Sequence, residues 1–277
     1  MRHAPTSRFI RVNGLALHYL EWGESTNPAL ILLHGGSAHA HWWDHIAPTL
    51  ARTHRVLALD LRGHGESAWT HPPAYEIADY VADLEGIVAA LELDAPVLMG
   101  HSLGGFVALH YATTVTMNHG AFVIVDIGSR LRPSRTMRLL RSLPPPTYST
   151  EADVYTRFRL LPAETWATPE LLRHVARHSM RPDHAGRFHL KSDRAVMTRQ
   201  PCDLESQLAR ITCPILFIRG QYSRTLSAER LSHLVHTCPR ATGIEIPQAG
   251  HHVFLDQPVA FLDTVTTFLH ETSRASA

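Results

Sequence analysis

The chain has little cysteine, no long apolar run and almost no excess of charge of either sign. Three cysteines in 277 residues, Cys202, Cys213 and Cys238, are an odd number with no C-x-x-C spacing. That pattern argues against a disulfide framework and a thiolate zinc site, and makes a reducing cytoplasm the expected compartment. No window reaches the roughly 18 apolar residues of a membrane span, and the first residues, MRHAPTSRFIRVNG, contain no apolar signal core. Lys and Arg number 26 against 25 Asp and Glu, a net charge of +1. No global field therefore steers the chain toward nucleic acid or an anionic membrane, and a small-molecule partner fits better. Repeats and low-complexity tracts are also lacking.

What is present is 44% hydrophobic residues, enough for one large core, and 21 histidines. The densest histidine stretch, HGGSAHAHWWDH, holds His34, His39, His41 and His45, but no carboxylate or cysteine pattern completes a metal signature, so no metal is expected. The basic stretch SRLRPSRTMRLLR, Ser129 to Arg141, is interspersed with Leu and Met. It reads as an amphipathic segment with a solvated arginine face rather than a binding arm.

Short apolar runs alternate with longer amphipathic ones, the pattern of a mostly parallel sheet flanked by helices. Strands are predicted at Phe9–Val12, Leu15–Trp22, Leu30–His34, Val56–Asp60, Val97–Gly100, Phe122–Asp126, Ile215–Arg219 and Thr242–Ile246. The first two should form a hairpin, because Asn13-Gly14 suits a type I′ turn. Helices are predicted at His39–Ala51, Ile77–Leu91, Leu103–Thr114, Ala228–His236 and Val259–Glu271. Between the sixth and seventh strands the alternation stops, and proline-punctuated helical segments replace it. Too long for a structureless loop, 129–210 is expected to be a helical lid inserted into a core of 1–128 and 211–277.

Chemistry concentrates at the carboxyl ends of the predicted strands. Gly100-His101-Ser102-Leu103-Gly104 follows a buried strand and precedes a helix, the context that a G-x-S-x-G turn needs to present an exposed serine. Such a hydroxyl requires a base, and a tetrahedral intermediate requires N–H donors. His251, after the last strand, is the candidate base, with adjacent His252 as its rival. The amides of Gly36 and Leu103 are the candidate oxyanion hole. Trp42, Trp43, His101, Trp166 and His252 could line an aromatic substrate pocket.

With LLHGG, LDLRGHGES, GHSLGG, PILFIRG and AGHHVFLDQP in this order, the chain resembles the lid-bearing α/β-hydrolases over nearly its whole length. The resemblance favours His251 over His252, and serine rather than aspartate at the turn points away from haloalkane dehalogenases and epoxide hydrolases. The family usually places its acid after strand seven, in a G-x-x-S-D stretch. Here the stretch reads GQYSR, with Arg224 at the acid position. The alternative is Asp126, at the end of strand six, an arrangement similar to that of the 2-(acetamidomethylene)succinate hydrolases and of the cofactor-independent dioxygenases that open quinolone rings. The resemblance thus implies an eight-stranded α/β-hydrolase fold and a carboxylesterase-like enzyme cleaving a small ester, lactone or amide. Ser102, His251 and Asp126 would be the triad, with no cofactor. Arg224 either replaces the old acid or binds an anionic substrate. LDLRGHGES reads as a buttressing loop. The rivals are a dioxygenase or lyase using His251 and Asp126 as a base, acyl transfer to a nucleophile other than water, and a ligand-binding homologue without turnover. A monomer or homodimer is compatible with the sequence.

Overall fold

A computed structural model describes residues 4–115, 120–132, 135–197 and 200–276. Its main sheet has eight strands, numbered here β1 Thr6–Val12, β2 Leu15–Trp22, β3 Ala29–Leu33, β4 Arg55–Leu59, β5 Val97–His101, β6 Phe122–Val125, β7 Ile215–Gly220 and β8 Ala241–Ile246. They lie in the order β1-β2-β4-β3-β5-β6-β7-β8. β2 is antiparallel to both β1 and β4, and β4, β3, β5, β6, β7 and β8 run parallel to one another. All eight predicted strands are present. The hairpin turn has Asn13 at φ 51° and Gly14 at φ 77°, the two positive values that a type I′ turn demands.

The apolar runs are continuous because both sheet faces are covered. In β3, Ile31 and Leu33 belong to one core cluster with Tyr80, Phe106 and Phe122. Leu30 and Leu32 belong to a second, on the opposite face, with Trp43, Phe254 and Phe261. The helix Leu103–Thr114 lies directly beneath β5 and is buried around most of its circumference. Among the described residues, no helix is long and apolar enough to cross a membrane.

Two local expectations need correction. The predicted helix His39–Ala51 is two short pieces, a 3-10 turn at Ala40–Trp43 and a single helical turn at Ala47–Leu50. Pro48 accounts for the division: it suits the first turn of a helix but cannot continue one begun upstream. The stretch between β6 and β7 is not purely helical either. Its helices Arg135–Ser142, Glu151–Arg157 and Pro169–His178 are joined by a small sheet of Thr147–Tyr148, Met180–Pro182 and Phe188–Leu190. Arg130–Leu131 also pairs with Cys202–Asp203. Strands of two or three residues are too short to leave a period-2 signature in sequence. The basic run overlaps positions 133–134, outside the described residues; Met137 and Leu140 from it face a cavity described below.

Candidate active site

Three chain segments meet at the carboxyl ends of β3, β5, β6 and β8. At the first, β5 turns into its helix through Ser102, held at φ 51° and ψ −112°. A β-carbon on Gly100 would stand 2.3 Å from the backbone of Gly104, and one on Gly104 would stand 2.3 Å from the carbonyl oxygen of Leu33. Both glycines are therefore steric requirements of the turn. Ser102 N–H donates to Val125 and Gly104 N–H to His34, at 3.0 Å each, so the strained residue is clamped from both neighbouring strands.

At the second, β6 ends where Asp126 adopts φ 53°, which turns its carboxylate into the interior. Asp126 is fully buried, with 0% exposure. Its Oδ2 lies 2.7 Å from His251 Nδ1 and also accepts from Ser223 Oγ, while Oδ1 accepts from the Gly220 N–H at 3.2 Å. The buried carboxylate thus has a hydrogen-bond partner on each oxygen. With Nδ1–H donating to Asp126, the lone pair of His251 sits on Nε2. His251 and Ser102 border the same cavity, of about 950 Å³.

Two further imidazoles hold His251 from behind. His101 Nε2 is 3.0 Å from the backbone carbonyl of His251, and His252 Nε2 is 2.9 Å from that of Pro162. Burial, reinforced by the neighbouring histidines, pushes His101 well below the ordinary histidine range and His252 down to about 3. Both are neutral at physiological pH and donate one N–H each. Asp256 secures the other side of the loop: it accepts from Gly250 N–H at 2.8 Å, Trp166 N–H at 2.7 Å and Thr165 Oγ. It thereby ties the His251 loop to the segment preceding the helix Pro169–His178.

Gly36 lines the cavity beside Ser102. Among the described residues, no acceptor takes the N–H of Gly36 or of Leu103, and Leu103 heads a helix whose dipole adds positive potential there. The loop that carries Gly36 is held by Asp60, which accepts from Ala40 N–H at 2.6 Å, Glu66 N–H at 2.9 Å and the His18 ring at 2.7 Å. Burial opposes its ionisation, yet these donors keep it below the usual carboxylate range. LDLRGHGES thus acts as a buttress in the structure.

The aromatic pocket is corrected. Trp42, Trp43, His101 and His252 are buried and do not border the cavity. They pack beneath it, with Trp43 stacked on Phe254 at 4.3 Å and Trp42 edge-on to His252 at 5.5 Å. The continuous apolar face of the sheet absorbs these rings before they can reach solvent. Trp166 and Arg224 do border the cavity. Trp166 is 49% exposed and packs against Tyr222, at 5.2 Å between ring centres. The Arg224 side chain is 88% exposed and lies 3.6 Å from Glu164. As a cation with no acceptor it cannot supply the carboxylate's role beside His251, which Asp126 Oδ2 contacts instead.

Sequence reading left several contributors without a role: Ser223, Asp256 and three arginines of the cavity wall, Arg130, Arg132 and Arg230. The signal for Ser223 was the serine retained in GQYSR beside the lost acid. Arg130 pairs with Asp203 at 2.9 Å, and Arg230 with Glu205 at 3.0 Å. Arg132 also borders the cavity but has no carboxylate partner among the described residues.

Comparison with known proteins agrees with this fold. The profile of the alpha/beta hydrolase family matches residues 30–264. Esterase Rv0045c of Mycobacterium tuberculosis is 28% identical over 270 residues, covering 95% of this chain and 89% of its own. A 3-hydroxybutyrate-oligomer hydrolase of Cupriavidus necator is 24% identical over 274 residues, covering 91% and 93%. The crystal structure of E-2-(acetamidomethylene)succinate hydrolase superposes with a TM-score of 0.83 over 96% of this chain and 99% of the other. At 22% identity that likeness concerns the fold alone.

Proposed function

Because the chain belongs to the alpha/beta hydrolase family, we propose that it is a serine hydrolase acting on small carboxylic esters, lactones or amides through an acyl-enzyme. Ser102 Oγ attacks the substrate carbonyl while His251 Nε2 takes its proton. Asp126 fixes the tautomer of His251 and stabilises the imidazolium that forms. The developing oxyanion is received by the N–H groups of Gly36 and Leu103, neither of which has an acceptor among the described residues. His251 then returns its proton to the leaving group. Water attacks the acyl-enzyme with His251 again as base, and Ser102 is released.

The observation carrying this reading is the 2.7 Å contact of buried Asp126 with His251 Nδ1. It supports a complete base in a chain whose strand-seven position holds arginine, and it favours hydrolysis over a binding protein that has lost its acid. The segments 129–210, which supply much of the cavity wall, act as the lid in this reading and set specificity. Arg132 gives that wall a cation without a carboxylate partner among the described residues, so substrates with a carboxylate remote from the scissile bond are favoured over neutral ones of equal size. Steady-state hydrolysis of p-nitrophenyl acetate, butyrate and hemisuccinate tests the reading. Turnover that Ser102→Ala abolishes supports it. Absence of turnover with all three, and with matched lactones and anilides, would contradict it.

A further inference from the structure

Away from the cavity, histidines from two distant segments converge. The loop after β3 contributes His41, in the turn Ala40–Trp43, with Asp44 just beyond it. The helix Pro169–His178 contributes His174 and His178, one helical turn apart and hence on one face. The His41 and His178 rings stack at 3.9 Å between centres, and those of His174 and His178 are 4.4 Å apart. One ligand nitrogen from each of the three rings lies within 4.8 Å of the other two.

The second partners of these rings decide what the cluster can do. His41 Nδ1 is 2.8 Å from Asp44 Oδ2, and His174 Nε2 is 2.8 Å from the same oxygen. His178 Nδ1 is 2.9 Å from the backbone carbonyl of His174. Every one of these acceptors is an oxygen, so each ring donates an N–H there and keeps a lone pair on its other nitrogen: Nε2 of His41, Nδ1 of His174 and Nε2 of His178. Rings held by one N–H, with the other nitrogen free as a ligand, are the usual outer support of metal-binding histidines. Asp44 thus accepts from two of the three rings through a single oxygen. The second oxygen of Asp44, Oδ1, is buried without a hydrogen-bond partner among the described residues.

We propose that His41, His174 and His178 form a binding site for a divalent transition-metal ion of the class that prefers imidazole, zinc foremost, with Asp44 as its outer carboxylate. Three neutral imidazoles suit zinc, nickel, cobalt or copper, and exclude calcium and magnesium, which require oxygen ligands. The ion cross-links the β3 loop, which leads from the Gly36 turn, to the helix Pro169–His178.

The test is titration of the untagged, chelator-stripped chain with Zn²⁺, followed by calorimetry and by thermal melting. Wild type should bind one tight equivalent and melt several degrees higher with Zn²⁺ than without. His41→Gln and His178→Gln, taken from the two segments, should each weaken that equivalent at least about 100-fold and lose the melting shift, and Asp44→Asn should weaken it about 10- to 100-fold. His184→Gln, an exposed histidine outside the cluster, should change neither. Circular dichroism checks that each variant is folded; if one glutamine variant is not, the other and Asp44→Asn decide. No tight equivalent in wild type, or unchanged affinity in the folded cluster variants, would overturn the proposal.

Discussion

Replacing Asp126 by asparagine isolates the carboxylate from everything else in the candidate triad. Its Oδ2 accepts from His251 Nδ1 and Ser223 Oγ, and its Oδ1 from Gly220 N–H. An amide has one oxygen for these two sites. If the amide nitrogen takes the Oδ2 position, its N–H meets His251 Nδ1, and the ring can relieve the donor conflict only by moving its proton to Nε2. Nε2 is then no longer a base toward Ser102. If the amide is flipped, the nitrogen meets the Gly220 N–H, and the imidazolium still lacks its negative partner. Both orientations fail, and the aspartate of serine-protease triads sets the scale: a loss of about 10⁴-fold in kcat, near 5.5 kcal/mol of transition-state stabilisation. The assay is kcat for the best p-nitrophenyl ester, with a thermal melt to show that the variant is folded. A folded Asp126→Asn retaining more than a tenth of wild-type kcat would refute the assignment of the acid to the end of β6.

Other expectations follow from the same contacts. Arg132→Ala should raise KM for an ester bearing a remote carboxylate by roughly fivefold, the modest worth of a solvent-exposed charge contact, and leave a neutral ester unaffected; equal KM changes for both esters would argue against an anion subsite. Gly104→Ala places a β-carbon 2.3 Å from the Leu33 carbonyl, so it should destabilise the fold by about 3 kcal/mol or more; a urea midpoint equal to wild type would show that the turn is not held as described. Stability should fall as pH is lowered from 7 to 5. His252 is held neutral in the fold, with its pKa lowered to about 3, whereas the unfolded chain protonates this residue near its ordinary 6.5. Between those values the unfolded state binds more protons, so stability is full above 6.5 and is lost as pH falls, by about 2 kcal/mol at pH 5 from this group alone. His252→Gln, which can still donate to Pro162, should flatten the pH dependence of the urea midpoint, and an unchanged slope would contradict the buried-neutral description.

Strand positions and the elbow were legible because they rest on local rules. The ALILL run of β3 must be covered on both faces, Asn13-Gly14 dictates its hairpin, and glycines around Ser102 mark a turn that no other residue can make. Pairing of Asp126 with His251 leaves no local signal and is suggested only by the family pattern, since it joins residues 125 apart through the parallel registers of β6 with β7 and of β7 with β8. The aromatic pocket was misjudged for a physical reason: tryptophans and histidines near a catalytic loop look alike in sequence whether they face a cavity or the sheet. Here the apolar β3 and β5 faces buried them. The histidine cluster was illegible for a related reason. HGGSAHAHWWDH supplies only one ring to it, and the other two come from a helix more than a hundred residues further along.

Intact mass followed over time after addition of a fluorophosphonate, on wild type, Ser102→Ala and Asp126→Asn, tests the central claim most directly. The account predicts rapid addition of one label to wild type, none to Ser102→Ala, and labelling slowed by orders of magnitude in Asp126→Asn. Wild type that stays unlabelled, or Ser102→Ala that labels at the wild-type rate, would contradict it.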